Sequence, residues 1–254
     1  MAEIVTPTPV TAVTDCPIFS GPLKSERLGA TLGVDLGSMD MALAVSRENR
    51  MPRASVVVTT AARHIIRISK AGEKIESIAV YGSKADPTVH PDFREITENL
   101  RDLRNKWFNK AKLSLILDAP KLDDALLRHV LGIYDRVFLR MEWGTAKTFA
   151  AMTGRKSSEF ATYLDNLGHV EHLIIQARFL RGEVDNSTEA EVKAWIKKIG
   201  ELKPREVAIL NPDAKSAAKK GKTAPKSRLA EIAEDLTEKT GIPAAVVQSE
   251  SLLT

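Results

Sequence analysis

Short apolar runs alternate with amphipathic stretches from residue 30 to the end of the chain, and this alternation limits the fold more than any other feature. Ala30–Leu36 reads as one buried strand. Glu76–Tyr81, Lys112–Leu117, Val137–Glu142, Glu171–Phe179 and Glu206–Leu210 repeat the pattern, and Ala244–Gln248 suits a short extra strand. The stretches between them carry helical spacing. One helix is expected over about 58–71, with Ile65, Ile66 and Ile68 mostly on one face. Pro91–Trp107 follows, with Phe93, Ile96, Leu100, Leu103 and Trp107 three and four residues apart. Leu122–Leu131, Thr145–Met152, Ser158–Leu167, Ser187–Leu202 and Lys226–Thr240 complete the set. Gly72 and Gly241 stand where C-caps belong, and the S-T-E-A-E cluster from Ser187 suits an N-cap. Strand–helix alternation predicts an α/β fold, a parallel sheet with helices outside. Alternation alone leaves open a partial barrel, a full eight-unit barrel and an open doubly wound sheet.

A chain of 254 residues, 43% hydrophobic, can bury the core of one barrel-sized domain or two small ones. Residues 1–20 mix threonine, proline and small side chains and read as a flexible arm, leaving 21–254 as the barrel domain. The start, MAEIVTPTPVTAV, has neither a basic region nor a long apolar one, so no signal peptide is expected. No apolar run approaches the ~18 residues of a membrane span. The single cysteine, Cys16, excludes an intrachain disulfide and fits a reducing, cytoplasmic location. A net charge of +4, with both signs spread along most of the chain, is too mild to argue nucleic-acid binding.

Gly21-Pro22, Ser25, Arg27-Leu28-Gly29 and Leu32-Gly33-Val34-Asp35-Leu36 resemble the opening of a group of radical S-adenosylmethionine enzymes. Those enzymes run GP-x-x-S-x-R-L-G-x-x-L-G-V-D-L and then C-x-x-x-C-x-x-C. Aligned without gaps, the three cysteine positions here hold Ala42, Ser46 and Asn49, and Glu48 stands where an aromatic residue is usual. Ile78–Phe93, IAVYGSKADPTVHPDF, is similar to the family's S-G-x-G-E-P-T-L-H-P-D segment, with Ala85-Asp86-Pro87 in place of glycine–glutamate–proline. Glu142–Phe149, Val184–Thr188, Arg181-Gly182 and Lys203–Val207 add further likeness, so that the resemblance covers about 25–248.

The resemblance implies a partial (β/α)6 TIM-type barrel. In the family, three thiolates hold three irons of a four-iron cluster, and the fourth iron chelates S-adenosylmethionine and delivers the electron that breaks its C–S bond. Iron–sulfur clusters need soft thiolate ligands. Alanine offers no ligand atom, and neutral serine and asparagine oxygens are poor ones, so no 4Fe-4S cluster is expected. Gly82, Ser83 and Asp86 are the residues that the resemblance places at the amino group of S-adenosylmethionine. Asp86 is one methylene shorter than the family's glutamate, and without the fourth iron the chelation of the amine and carboxylate is lost, so at most weak binding of that ligand is expected.

Other constellations stand apart from the resemblance. His169-x-x-His172 has the spacing of two metal ligands one helical turn apart, or of a solvated loop. Asp35, Asp118 and Glu142 fall at or near the carboxyl ends of strands, the catalytic face of a barrel, where they could hold a cation, do acid–base work or simply cap strands. Asp35 could also pair with Arg27. Arg140, Arg178 and Arg181 belong to the same rim, strand phase deciding which point inward. Asn211–Arg228 is a basic low-complexity loop holding Lys215, Lys219, Lys220, Lys222, Lys226 and Arg228. It suits a solvated spacer or an anionic partner, and without interleaved aromatics it does not suggest base stacking. Trp107, Trp143 and Trp195 read as helix-face or rim residues. The expected function is a pseudoenzyme acting as a binding or scaffold protein, with an active radical S-adenosylmethionine relative as one candidate partner. The alternatives are a cluster-independent enzyme that binds S-adenosylmethionine or another nucleotide at the barrel mouth, and a basic-loop nucleic-acid or anion-binding module.

Overall fold

A computed structural model of the chain describes residues 18–37, 51–118, 120–211 and 222–248. Two strands open it, β1 (Phe19–Ser25) and β2 (Gly29–Asp35), paired antiparallel. Helix α1 (Ala54–Lys70) leads to β3 (Ser77–Tyr81), α2 (Phe93–Trp107) to β4 (Lys112–Leu117), and α3 (Ala125–Leu131) to β5 (Arg136–Arg140). Two helices, α4 (Ala146–Thr153) and α5 (Phe160–Gly168), precede β6 (Leu173–Ala177) and the short β7 (Leu180–Arg181). Then come α6 (Glu189–Leu202), β8 (Glu206–Asn211), the short β9 (Lys222–Thr223), α7 (Lys226–Thr240) and β10 (Ala244–Gln248). Each helix forms where the apolar spacing requires it. In α1, Ala54, Val57, Ala61, Ile65 and Ile68 are buried at steps of three and four, and Ile66 is half-buried beside them.

One eight-stranded sheet runs in the order β1-β2-β3-β4-β5-β6-β8-β10, and every neighbouring pair after β1–β2 is parallel. Each parallel strand lies beside the one before it in the chain. That order has no reversal point, which excludes the doubly wound alternative. The sheet does not close, since β1 and β10 form its two edges, and so it is a partial barrel. Strand alternation splits the apolar residues in two. Leu32, Val34, Ile78, Val80, Leu113, Leu115, Val137, Leu139, Ile175 and Ile209 pack with the helices in the main core. Leu28, Ala79, Phe138 and Ile174 form a separate cluster on the opposite, inner face, with Ile116 against it. Small polar residues share that face: Ser77 Oγ lies 3.0 Å from Ser114 Oγ.

Two sequence boundaries move. The expected arm 1–20 ends sooner, because Ile18 and Phe19 are buried in the core and Phe19 begins β1. The expected basic loop Asn211–Arg228 is narrower: Asn211 closes β8, Lys222 and Thr223 pair with Arg181 and Leu180, and α7 begins at Lys226. Among the described residues no helix is long and apolar enough to cross a membrane.

Candidate functional site

The carboxyl ends of β4, β5 and β6 bring four charges into one chain at the barrel mouth. Arg178 embraces Glu142 through Nε at 2.5 Å and Nη2 at 3.2 Å. Arg140 Nη1 donates to Asp118 Oδ1 at 3.1 Å, and its Nε lies 3.7 Å from Glu142 Oε1. Glu142 is only 7% exposed, whereas the Asp118 side chain is 64% exposed. The inner pairs are therefore shielded and the outer carboxylate is wet. Burial lowers the affinity of Arg178 for its proton, but the hydrogen bonds and charge of Glu142 outweigh that and raise it overall. A fork-on-fork pair of this kind fixes orientation as well as charge. Two of the three strand-end carboxylates are thus occupied by arginines, with Asp118 and Arg140 also lining an open cleft of about 350 Å³ beside Gly82–Pro87.

Asp35 does not pair with Arg27. Its Oδ1 accepts from the backbone N–H groups of Gly37 at 2.9 Å and Ser83 at 3.0 Å, stitching the end of β2 to the loop after β3. Arg27 instead lies 3.7 Å from Glu206 and stacks over Phe138 at 4.8 Å. The loop after β3 is pulled in tightly. A side chain at Gly82 would meet the Ala85 carbonyl oxygen at 1.8 Å, and one at Gly37 would meet it at 2.3 Å, so only glycine fits at either position. Asp86 caps the turn that follows. Its Oδ1 accepts from the Thr88 N–H at 3.0 Å and from the Thr88 hydroxyl, while Oδ2 accepts from Asp118 N–H at 3.3 Å. Burial raises the Asp86 carboxyl above its ordinary value, against the hydrogen bonds from Thr88 and Asp118, and the Asp118 charge adds to the rise.

Three supporting residues escaped the sequence reading. Asn186 is buried, accepts from Leu180 N–H at 2.7 Å, and donates to the carbonyls of Glu142 and Arg178, both at 2.8 Å. Its segment was noticed as a likeness, but its partners lie far away along the chain. His90 is buried too. Pro52 O can only accept and Asp92 N–H can only donate, so His90 carries its proton on Nε2, 2.7 Å from Pro52 O, and receives Asp92 at Nδ1. This ties the start of α2 to the start of α1. Gly144 lets α6 approach, since a Cβ there would meet the backbone nitrogen of Trp195 at 2.3 Å. Trp195 in turn donates to Met141 O at 2.9 Å, and Trp143 sits in an aromatic cluster with Phe149, Phe160 and Tyr163.

Other candidates separate. His169 ends α5, while His172 Nδ1 meets the Arg205 guanidinium. Among the described residues no group of three His, Cys, Asp or Glu side chains could hold a metal ion. Arg181 lies in β7 and is exposed. Cys16, Ala42, Ser46, Glu48 and Asn49, with Lys215, Lys219 and Lys220, lie outside the described residues.

No protein-family profile matches the chain, and no curated protein does. Solved structures do match. A domain of pyruvate-formate lyase-activating enzyme from Bacteroides vulgatus aligns with a TM-score of 0.52 at 13% identity, covering 68% of this chain and 99% of that domain. The coproporphyrinogen III oxidase HemN from Escherichia coli, described as a radical SAM enzyme, aligns with a TM-score of 0.50 at 14% identity, covering 76% of this chain and 46% of that one. Sequential parallel strands, an open barrel and these neighbours agree: this chain has the partial-barrel fold seen in the activating-enzyme domain and in the radical SAM enzyme HemN, and it contains a single cysteine.

Proposed function

We propose that this protein is a pseudoenzyme, a cytoplasmic binding or scaffold protein that keeps the radical S-adenosylmethionine barrel without its reductive chemistry. The observation that carries the reading is the donor set. The chain has one cysteine, and Ala42, Ser46 and Asn49 stand at the thiolate positions. A four-iron cluster does not fit such donors. The acidic residue of the S-adenosylmethionine motif supports the same reading, because both oxygens of Asp86 are engaged by Thr88 and the Asp118 backbone. The mouth instead offers a cleft of about 350 Å³, of the size that holds a small molecule. An active relative as partner, and an anionic partner along Lys215–Arg228, are parts of the same proposal.

Anaerobic reconstitution with iron and sulfide tests it. The parent chain should bind no cluster, and cysteines restored at positions 42, 46 and 49 should gain iron that the parent lacks. About four irons per parent chain, with a charge-transfer band near ~400 nm, would overturn the proposal. Calorimetry with S-adenosylmethionine is the companion measurement. Binding in the sub-micromolar range that Asp86→Ala abolishes would instead favour a cluster-independent enzyme at the same cleft.

A further inference from the structure

The two edges of the sheet are not alike. β1 is defended: Pro22 lies within it, its register with β2 shifts between Ser20 and Leu23, and Lys24 is exposed. β10 has none of these devices. Ala244–Gln248 holds no charge and no proline, and all five residues pair in unbroken register with Val207–Asn211. Among the described residues nothing pairs with its other side. Ala245, Val246 and Gln248 are exposed, Val246 to 37%. A bare, uncharged edge is a template for another strand, and proteins with no use for one normally blunt it.

One hydrogen bond fixes which backbone groups the edge offers. Val207 N–H donates to Pro243 O at 2.9 Å. In a parallel ladder alternate residues of a strand turn their backbone groups to the same neighbour, so Pro243, Ala245 and Val247 face β8. Ala244, Val246 and Gln248 therefore point their N–H and C=O groups away from the sheet. That set is symmetric about Val246. Turned end for end, a second β10 meets the first with Val246 on Val246, and with Ala244 on Gln248 at either side. Each opposed pair then exchanges two hydrogen bonds, and no outward group of the strand is left over. Between these pairs Ala245 lies opposite Val247, so the register sets no charge against its like.

Helix α7 favours the same partner. It packs on both β8 and β10, and so lies over the last two strands. A two-fold axis normal to the sheet at Val246 keeps both copies of α7 on one face, antiparallel. With strands about 4.8 Å apart, the helix axes come to roughly 10 Å, the upper end of the spacing of packed helices. Within α7, Arg228 is held by Glu231 and Lys239 by Asp235. Lys226 at its start, and Glu234 and Glu238 further on, are exposed and form no ion pair among the described residues. Antiparallel helices turn the basic start of one copy toward the acidic end of the other. We infer that β10 is a homodimer interface, at which a second copy of this chain adds its own β10 antiparallel and joins two eight-stranded sheets into one. The inference goes beyond the loss of the cluster and does not rest on it, since neither the barrel mouth nor the thiolate positions take part.

Sedimentation velocity on the full chain tests it. The parent should pass from monomer to dimer over the micromolar range, the strength of a small interface. Val246→Pro removes an outward N–H and leaves the β8 ladder intact, so the variant should keep the circular dichroism of the parent. Its dimer dissociation constant should rise at least about tenfold, because the two central hydrogen bonds are lost. Val246→Lys sets like charges face to face and should weaken the dimer at least as much. Leu23→Lys, the same kind of change at an exposed residue of β1, should leave the dimer in place. The register has its own test in a Cys16→Ser background. Val246→Cys puts two thiols across the axis with Cα atoms about 5.5 Å apart, the span of a disulfide, whereas Gln248→Cys leaves them about 14 Å apart. Oxidation should give a covalent dimer from the first variant and not from the second. A parent that is monomeric throughout, a dimer that survives both Val246→Pro and Val246→Lys, a dimer lost with Leu23→Lys, or cross-linking through Gln248→Cys in preference to Val246→Cys would each overturn the inference.

Discussion

The side-chain amide of Asn186 donates to the carbonyl oxygen of Glu142 at 2.8 Å, across 44 residues of chain. The same nitrogen donates to Arg178 O, and the amide oxygen accepts from Leu180 N–H. One buried side chain therefore fixes the backbone on which both members of the Glu142–Arg178 pair are mounted. The ends of β5 and β6 are held in register just beyond the point where their ladder stops.

Asn186→Ala should be severely destabilising. It leaves two carbonyls and one N–H short of a partner in a buried place, and a loss of about 2–4 kcal/mol is expected. Urea unfolding would measure it, and a loss under ~1 kcal/mol would mean that water replaces the amide.

Removing Glu142 should cost more than removing the pair. Glu142→Gln leaves Arg178 partly buried without its counter-charge, for which about 3–5 kcal/mol is typical. Glu142→Gln combined with Arg178→Met should lose less than the sum of the two single variants. Strictly additive losses in the double-mutant cycle would show that the two side chains act independently.

A third expectation concerns packing. Gly144→Ala places a methyl against the Trp195 backbone at 2.3–2.6 Å, and backbone cannot swing aside as a side-chain tip can. Helix α6 must shift, at a cost of roughly 1–3 kcal/mol. Near-ultraviolet circular dichroism would report the displaced Trp195, and an unchanged spectrum with unchanged stability would refute the contact.

Asp86 makes a prediction about pH. Its carboxyl lies above its ordinary value because burial disfavours the charge, so the folded state keeps a proton that the unfolded chain has already released. The contribution of Asp86 to stability therefore falls as pH rises from the ordinary carboxyl value to the raised one, and is level above that. Asp86→Asn keeps an acceptor for Thr88 and does not titrate. Relative to the parent, the variant should gain stability as pH rises above the ordinary carboxyl value of about 4, until the Asp86 carboxyl of the folded parent has also lost its proton. A difference that is flat, or that runs the other way, would show that Asp86 is ionised at no cost.

Local periodicity determined most of the fold. Lys112–Leu117, Lys226–Thr240 and Ala244–Gln248 were readable to the residue, because burial on one face imposes a period that needs no knowledge of the partner. The cysteine count was equally decisive for chemistry, since no fold can supply thiolates that the chain lacks. β1 was not readable, because Gly21-Pro22 interrupts its alternation and its place depends on pairing with β2. Which charges meet was also hidden. Asp35 was as plausible beside Arg27 as against the backbone of Ser83, and only the juxtaposition of β2 with β3 decided it. Gln176 reads in sequence as an ordinary polar residue within an apolar run. Only the register between strands shows that it stands beside Arg140 and Ala208, and that among the described residues neither of its side-chain polar atoms finds a hydrogen-bond partner. Periodicity is a property of adjacent residues, whereas partnership belongs to strands brought side by side by the whole chain.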